Sequence, residues 1–84
     1  MKQAVAGTLE SNDVLMTVRE NKGVEIEIES IVFAAFGDQI LKVIEDTLKA
    51  RNVENIYVHC ADKGALDYTI KSRLISALDR LEAK

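Results

Sequence analysis

The sequence predicts an α+β domain: a three-stranded sheet packed against two helices, in the order ββαβα. Three observations carry this. Val24, Ile26 and Ile28 alternate strictly with Glu25, Glu27 and Glu29, the period of a strand with one apolar and one charged face. Phe36, Ile40, Ile44 and Leu48 fall at helical spacing, as does a second set, Leu66, Ile70, Leu74, Leu78 and Leu81. Each set lays an apolar stripe along a helix. A sheet and two helices with one apolar face apiece bury those faces best as two layers.

The elements follow in order. Residues 1–12 are small and polar with little periodicity, so a mobile, irregular lead-in is expected there. Val14, Met16 and Val18 alternate with Leu15, Thr17 and Arg19, giving the first strand. Asn21-Lys22-Gly23 supplies turn chemistry, and the Val24–Glu29 strand should return antiparallel to the first as a hairpin. Ser30 is placed to cap a helix, because its hydroxyl can accept from a first-turn backbone N–H. That helix should run through Arg51, with Gly37 interrupting it at a cost of about 1 kcal/mol relative to alanine. Asn55 to Ala61 reads as a third strand, with Ile56, Val58 and Cys60 on one side and Tyr57 and His59 on the other. If it lies parallel to the second strand, the crossover through the helix should be right-handed. Asp62-Lys63-Gly64 breaks the strand, and the Leu66–Leu81 stripe forms a second helix running almost to the C-terminus.

At 84 residues the chain is expected to be a single domain, residues 1–84, with one core. Hydrophobic residues make up 48% of it, so no disulfide or metal staple is required. The lone Cys60 excludes an intrachain disulfide, and no Cys/His cluster has metal-ligand spacing. That usage fits a reducing, cytoplasmic setting. Neither a signal peptide nor a membrane span is evident. Residues 1–30 carry three basic against six acidic side chains, while residues 31–84 balance at eight each. The net charge of −3 thus sits in the front of the chain. An acidic front disfavours nucleic acid, which needs phosphate-neutralising Lys and Arg. It suits a partner with a basic surface.

No residue set offers catalysis. His59 and Cys60 are adjacent on a strand, so they point to opposite faces and cannot act as a nucleophile–base pair. Cys60 reads as core and His59 as solvated, beside Tyr57. Asp62 terminates a strand, and Asp67 favours the first turn of a helix through the dipole. Lys63 and Gly64 are too little for a phosphate loop. Ser72 and Ser76 read as helix-surface positions. Ser11, between Glu10 and Asp13 in a polar segment, reads on its own as an ordinary loop serine.

Two segments alter that reading. Gly7-Thr8-Leu9-Glu10-Ser11 resembles the prosthetic-group attachment site of the citrate lyase acyl carrier protein (gamma subunit) family, and Asp62-Lys63-Gly64-Ala65-Leu66-Asp67 gives a second match. With similar length and element order, the resemblance is nearly full-length. One departure is Asn12, where the family commonly has a small residue, often glycine; asparagine tolerates positive φ better than most residues. The α+β pattern argues against the helical-bundle type of acyl carrier, and the resemblance concerns a different lineage.

The resemblance implies a non-catalytic carrier. Ser11 would hold phosphoribosyl-dephospho-coenzyme A through a phosphodiester, installed by a prosthetic-group transferase. The thiol of that group would bear acetyl and citryl thioesters while transferase (alpha) and lyase (beta) subunits convert citrate to oxaloacetate and acetate. Tethering would raise the effective concentration of the intermediate at each active site. Two alternatives stay open: a carrier of malonate decarboxylase, with a similar group, and an unmodified interaction module.

Overall fold

The computed structural model describes residues 2–83, so expectations for Met1 and Lys84 lie outside the described residues. Four strands and two helices follow one another: β1 Gln3–Gly7, β2 Val14–Glu20, β3 Val24–Ser30, α1 Phe33–Ala50, β4 Ile56–Asp62 and α2 Asp67–Glu82. The two-layer α+β class is as expected, with both helices on one face of the sheet.

The sheet corrects the expectation in two ways. First, it has four strands rather than three. Gln3–Gly7, within the segment read as an irregular lead-in, pairs antiparallel with β2 from Gln3↔Arg19 to Gly7↔Leu15. Its inward side chains are only Ala4 and Ala6, too small to write a strong alternation. They are small because α2 crosses directly over them.

Second, β2 and β3 do not form a hairpin. The strand order is β1-β2-β4-β3, so β4 lies between them, antiparallel to β2 and parallel to β3. The side chains explain the choice. Ile56, Val58 and Cys60 are buried against the helices, and Tyr57 is buried on the other face beneath Arg19, which suits a central strand with a neighbour on either side. The three glutamates of β3 suit an edge, where charge blocks pairing with another chain.

The core lies between the layers. Ala4 and Ala6, Val14, Met16 and Val18, and Ile56, Val58 and Cys60 supply the sheet side. Ile40, Ile44 and Leu48 come from α1, and Ile70, Leu74, Ala77, Leu78 and Leu81 from α2. Both helical stripes begin later than their periodicity indicates. Phe36 and Leu66 are 51% and 60% exposed, and Gly37 takes the inward position on α1. On the outer face, the guanidinium of Arg19 lies 3.9 Å above the ring of its cross-strand partner Tyr57. That cover leaves Tyr57 buried, a correction to the solvated position expected. Burial, reinforced by Glu27, holds the Tyr57 phenol above its usual range.

Candidate functional site at the Ser11 edge of the sheet

Strand directions bring four strand ends to one edge: the end of β1, the start of β2, and the ends of β3 and β4. The helices α1 and α2 both begin there. Ser11 sits at this edge, exposed in the turn that joins β1 to β2. Among the described residues it is the only serine outside a helix or strand.

The turn is built by its neighbours. Gly7 has φ +98°, and a side-chain carbon there would overlap the Val14 carbonyl, so the chain can leave β1 this tightly only at a glycine. Asn12 has φ 63°, the left-handed conformation its side chain tolerates. The Asn12 N–H donates to the Lys63 carbonyl (2.8 Å), and the Lys63 N–H donates to the Asp13 carbonyl (2.9 Å). The residues that follow directly on Gly7–Ser11 are therefore bonded to the Asp62–Asp67 segment.

Asp13 clamps the turn. Its carboxylate accepts from Arg73 Nε (3.1 Å) and Nη2 (3.0 Å), from the Thr8 hydroxyl (2.7 Å) and from the Val14 N–H (2.8 Å). The Thr8 hydroxyl accepts in turn from the Glu10 N–H (3.2 Å). The Arg73 fork, then Thr8 and the Val14 amide, hold the Asp13 carboxyl down to about 2, because each stabilises its charged form. Asp13 is thus occupied internally, and its charge is matched by Arg73. Arg73 left no signal in the sequence, since nothing in helical spacing tells which loop an α2 side chain will meet.

The adjoining junction is tied by Asp62, which is buried. It accepts from the Ser30 hydroxyl (2.7 Å) and the Ala65 N–H (2.9 Å). Ser30 is consequently the last residue of β3. Its oxygen accepts from the Val32 N–H (3.1 Å), and α1 begins after Val32 with no side-chain cap, which corrects the cap expected of Ser30. Asp67 lies in the first turn of α2, as expected, and accepts from Gln39 Nε2 (2.8 Å).

Between the starts of the two helices lies a cavity of about 450 Å³. Val32, Phe36, Ile40, Leu66 and Tyr68 supply its apolar surface, with Gln39 and Asp67 as polar neighbours. Tyr68 is 71% exposed. The ring of Phe33 rests against Gly37, where any side chain would collide with it. Ile31, Phe33, Phe36, Leu66 and Tyr68 together leave this edge apolar and open. Periodicity hid that patch by assigning Phe36 and Leu66 to the core.

Among the described residues, the other titratable groups form no second cluster. His59 Nε2 lies 2.7 Å from Glu29 Oε1 on the open sheet face. Cys60 is in the core, and burial, with Asp62 nearby, pushes its thiol up to about 12, so it holds no thiolate for nucleophilic work. Among the described residues no group of Cys, His, Asp and Glu could hold a metal, and no helix is long and apolar enough to cross a membrane.

Known proteins give this edge a context. Residues 1–81 match the acyl carrier family model described as malonate decarboxylase delta subunit (MdcD). The citrate lyase acyl carrier protein of Halothermothrix orenii is 45% identical over 80 residues, covering 94% of this chain and 85% of its own. That of Lactobacillus helveticus is 51% identical over 78 residues (92% and 80%), and that of Streptococcus mutans 51% over 79 (92% and 78%). A solved structure, a Pseudomonas malonate decarboxylase hetero-tetramer in complex with malonate, contains a chain similar in fold. Its TM-score is 0.84 at 15% identity, covering 95% of this chain and 84% of that one. The chain therefore belongs to the citrate lyase acyl carrier protein family, as a non-catalytic carrier subunit.

Proposed function

We propose that this chain is the acyl carrier of a citrate lyase assembly and that Ser11 is its attachment residue. One observation carries the reading: the close relatives are citrate lyase acyl carrier proteins at 45–51% identity, and the segment resembling their attachment site presents Ser11 on an exposed turn. The group attached there would be phosphoribosyl-dephospho-coenzyme A, whose thiol carries the acyl group as a thioester.

The residues fit such a group. A transferase must surround the serine hydroxyl and align it with a phosphoryl centre, which an exposed turn at the sheet edge permits. Ser30 is committed to Asp62, and Ser72 and Ser76 lie within α2, so none of the three stands on an exposed turn. The Asp13 charge is compensated by Arg73, which lowers its repulsion toward an incoming phosphate. Partners of the carrier would be the transferase (alpha) and lyase (beta) subunits and the prosthetic-group transferase. The carrier's setting would be the cytoplasm, where a free cysteine such as Cys60 stays reduced.

The test is covalent. Co-expression with the prosthetic-group transferase and its activated coenzyme A precursor should add one mass increment per chain, mapped to the peptide holding Ser11. Ser11→Ala should abolish it and abolish citrate cleavage by the reconstituted complex without unfolding, as exposed substitutions change stability little. Full citrate activity in an unmodified, folded Ser11→Ala complex refutes the reading. Modification with malonate but not citrate activity selects malonate decarboxylase, which the family model and the solved structure keep in view.

A further inference from the structure

We infer that the apolar cavity between the starts of α1 and α2 is an adenine-binding subsite for the prosthetic group on Ser11. The inference rests on the proposed attachment at Ser11 and adds what this chain does with the first part of the arm. In phosphoribosyl-dephospho-coenzyme A the phosphoribosyl unit joins serine to the adenosine. Adenine is thus the first aromatic ring met along the arm, ahead of the diphosphate and the pantetheine thiol.

The cavity has the properties such a ring requires. Its volume of about 450 Å³ falls in the roughly 300–1,000 Å³ range of small-molecule sites. Ile40, only 3% exposed, closes its inner side. Phe36 and Tyr68 offer aromatic surface on which a base can stack. Polar groups are few, as in most such sites, but they suit adenine. The Gln39 amide both donates and accepts, and the Asp67 carboxylate accepts, matching the ring nitrogens and exocyclic amine. Both side chains are exposed, and the bond from Gln39 Nε2 to Asp67 Oδ2 (2.8 Å) leaves the Gln39 carbonyl and its second N–H for a base.

The cavity also lies within reach. Asn12, next to Ser11, bonds to Lys63, and its Oδ1 lies 3.6 Å from the position a side-chain carbon on Gly64 would take. Gly64 and Ala65 line the cavity. One phosphate and two ribose rings separate the serine oxygen from the base, enough to cross that contact. Seating the base would shorten the free arm to its diphosphate and pantetheine parts and set the direction in which the thiol leaves the carrier. It would also cover apolar surface that otherwise faces water.

The test uses the loaded full-length chain, with its mass increment confirmed first. Proton NMR should show Overhauser contacts from adenine H2 or H8 to the rings of Phe36 and Tyr68. Etheno-adenine formation by chloroacetaldehyde should be about tenfold slower than for free dephospho-coenzyme A, the protection expected of one stacked base. Tyr68→Ala, taken in its loaded form with the mass increment confirmed, should return the rate toward the free value. Adenine reacting at the free rate with no contacts overturns the inference. So do contacts to Leu9 and His59, which line a separate hollow on the open sheet face. Free-rate adenine combined with impaired subunit assembly by Tyr68→Ala would assign the patch to protein docking instead. Absence of the mass increment removes the proposed function and this inference together.

Discussion

The two ends of the sheet are closed in different ways. At the Ser11 end the turn is held by charge: the Asp13 carboxylate gathers Arg73, Thr8 and the Val14 amide. At the opposite end the Asn21-Lys22-Gly23 connection is held by neutral groups. The Gly23 N–H donates to Asn55 Oδ1 (3.0 Å), the Gly23 carbonyl accepts from the Ile56 N–H (3.0 Å), and Asn21 bonds to the carbonyls of Lys22 and Gly23. Under the proposed function, the turn must present Ser11 to a modifying enzyme with its tip free. The ion pair holds the turn from below, leaving Ser11 and Glu10 exposed.

The largest expected difference between the ends is steric. Gly7→Ala should cost about 3 kcal/mol, since a left-handed backbone and a collision with the Val14 carbonyl act together. Gly23 also has positive φ, +76°, but nothing lies within 4 Å of a methyl placed there. Gly23→Ala should therefore cost only about 1 kcal/mol, the backbone term alone. Urea unfolding of both variants measures this directly. Equal losses would show that the Ser11 turn is no more constrained than the distal one.

The second difference is acid sensitivity. A carboxyl held at about 2 when folded, against about 3.9 when unfolded, stabilises the fold fully above the unfolded value. The contribution fades as the pH falls toward the folded value. The gap in unfolding midpoint between the native chain and Asp13→Asn should accordingly narrow from pH 5 to about pH 2. A gap independent of pH would mean that the Asp13 charge does not hold the turn. The same protonation should slow loading of Ser11 if the transferase reads the turn's shape.

How much of this was legible in the sequence depended on the strength of local patterns. The β2, β3, α1, β4 and α2 segments were readable because each repeats an apolar period over several residues. The first strand was not, because Ala4 and Ala6 meet α2 at close range and only small residues fit. Pairing order was not legible either: Asn21-Lys22-Gly23 has hairpin chemistry, but β4, the most buried strand, takes the place between β2 and β3. At the candidate site, Ser11 stood out only through its resemblance to a known segment. The proximity of that segment to Asp62–Asp67 came from topology, as did the Asp13–Arg73 pair, 60 residues apart. The apolar cavity was hidden for a different reason. Phe36 and Leu66 continue the helical stripes in sequence, yet both stand at helix starts beyond the edge of the sheet, where no layer covers them.

The smallest expected effect belongs to the neutral end and completes the contrast. Asn55→Ala removes the acceptor for the Gly23 N–H. Both residues are exposed, so water can replace the lost partner, and the cost should be only about 0.5–1 kcal/mol. No charge is involved, so this loss should stay constant over the same pH range in which the Asp13→Asn gap narrows. The substitution lies at the end of the sheet remote from Ser11, so loading by the prosthetic-group transferase should proceed at the native rate. Measuring stability at pH 5 and about pH 2 together with the loading rate separates the two ends. A pH-dependent loss, or slowed loading, in Asn55→Ala would mean that the ends are coupled through β4, which runs from Ile56 beside Gly23 to Asp62 beneath the Ser11 turn.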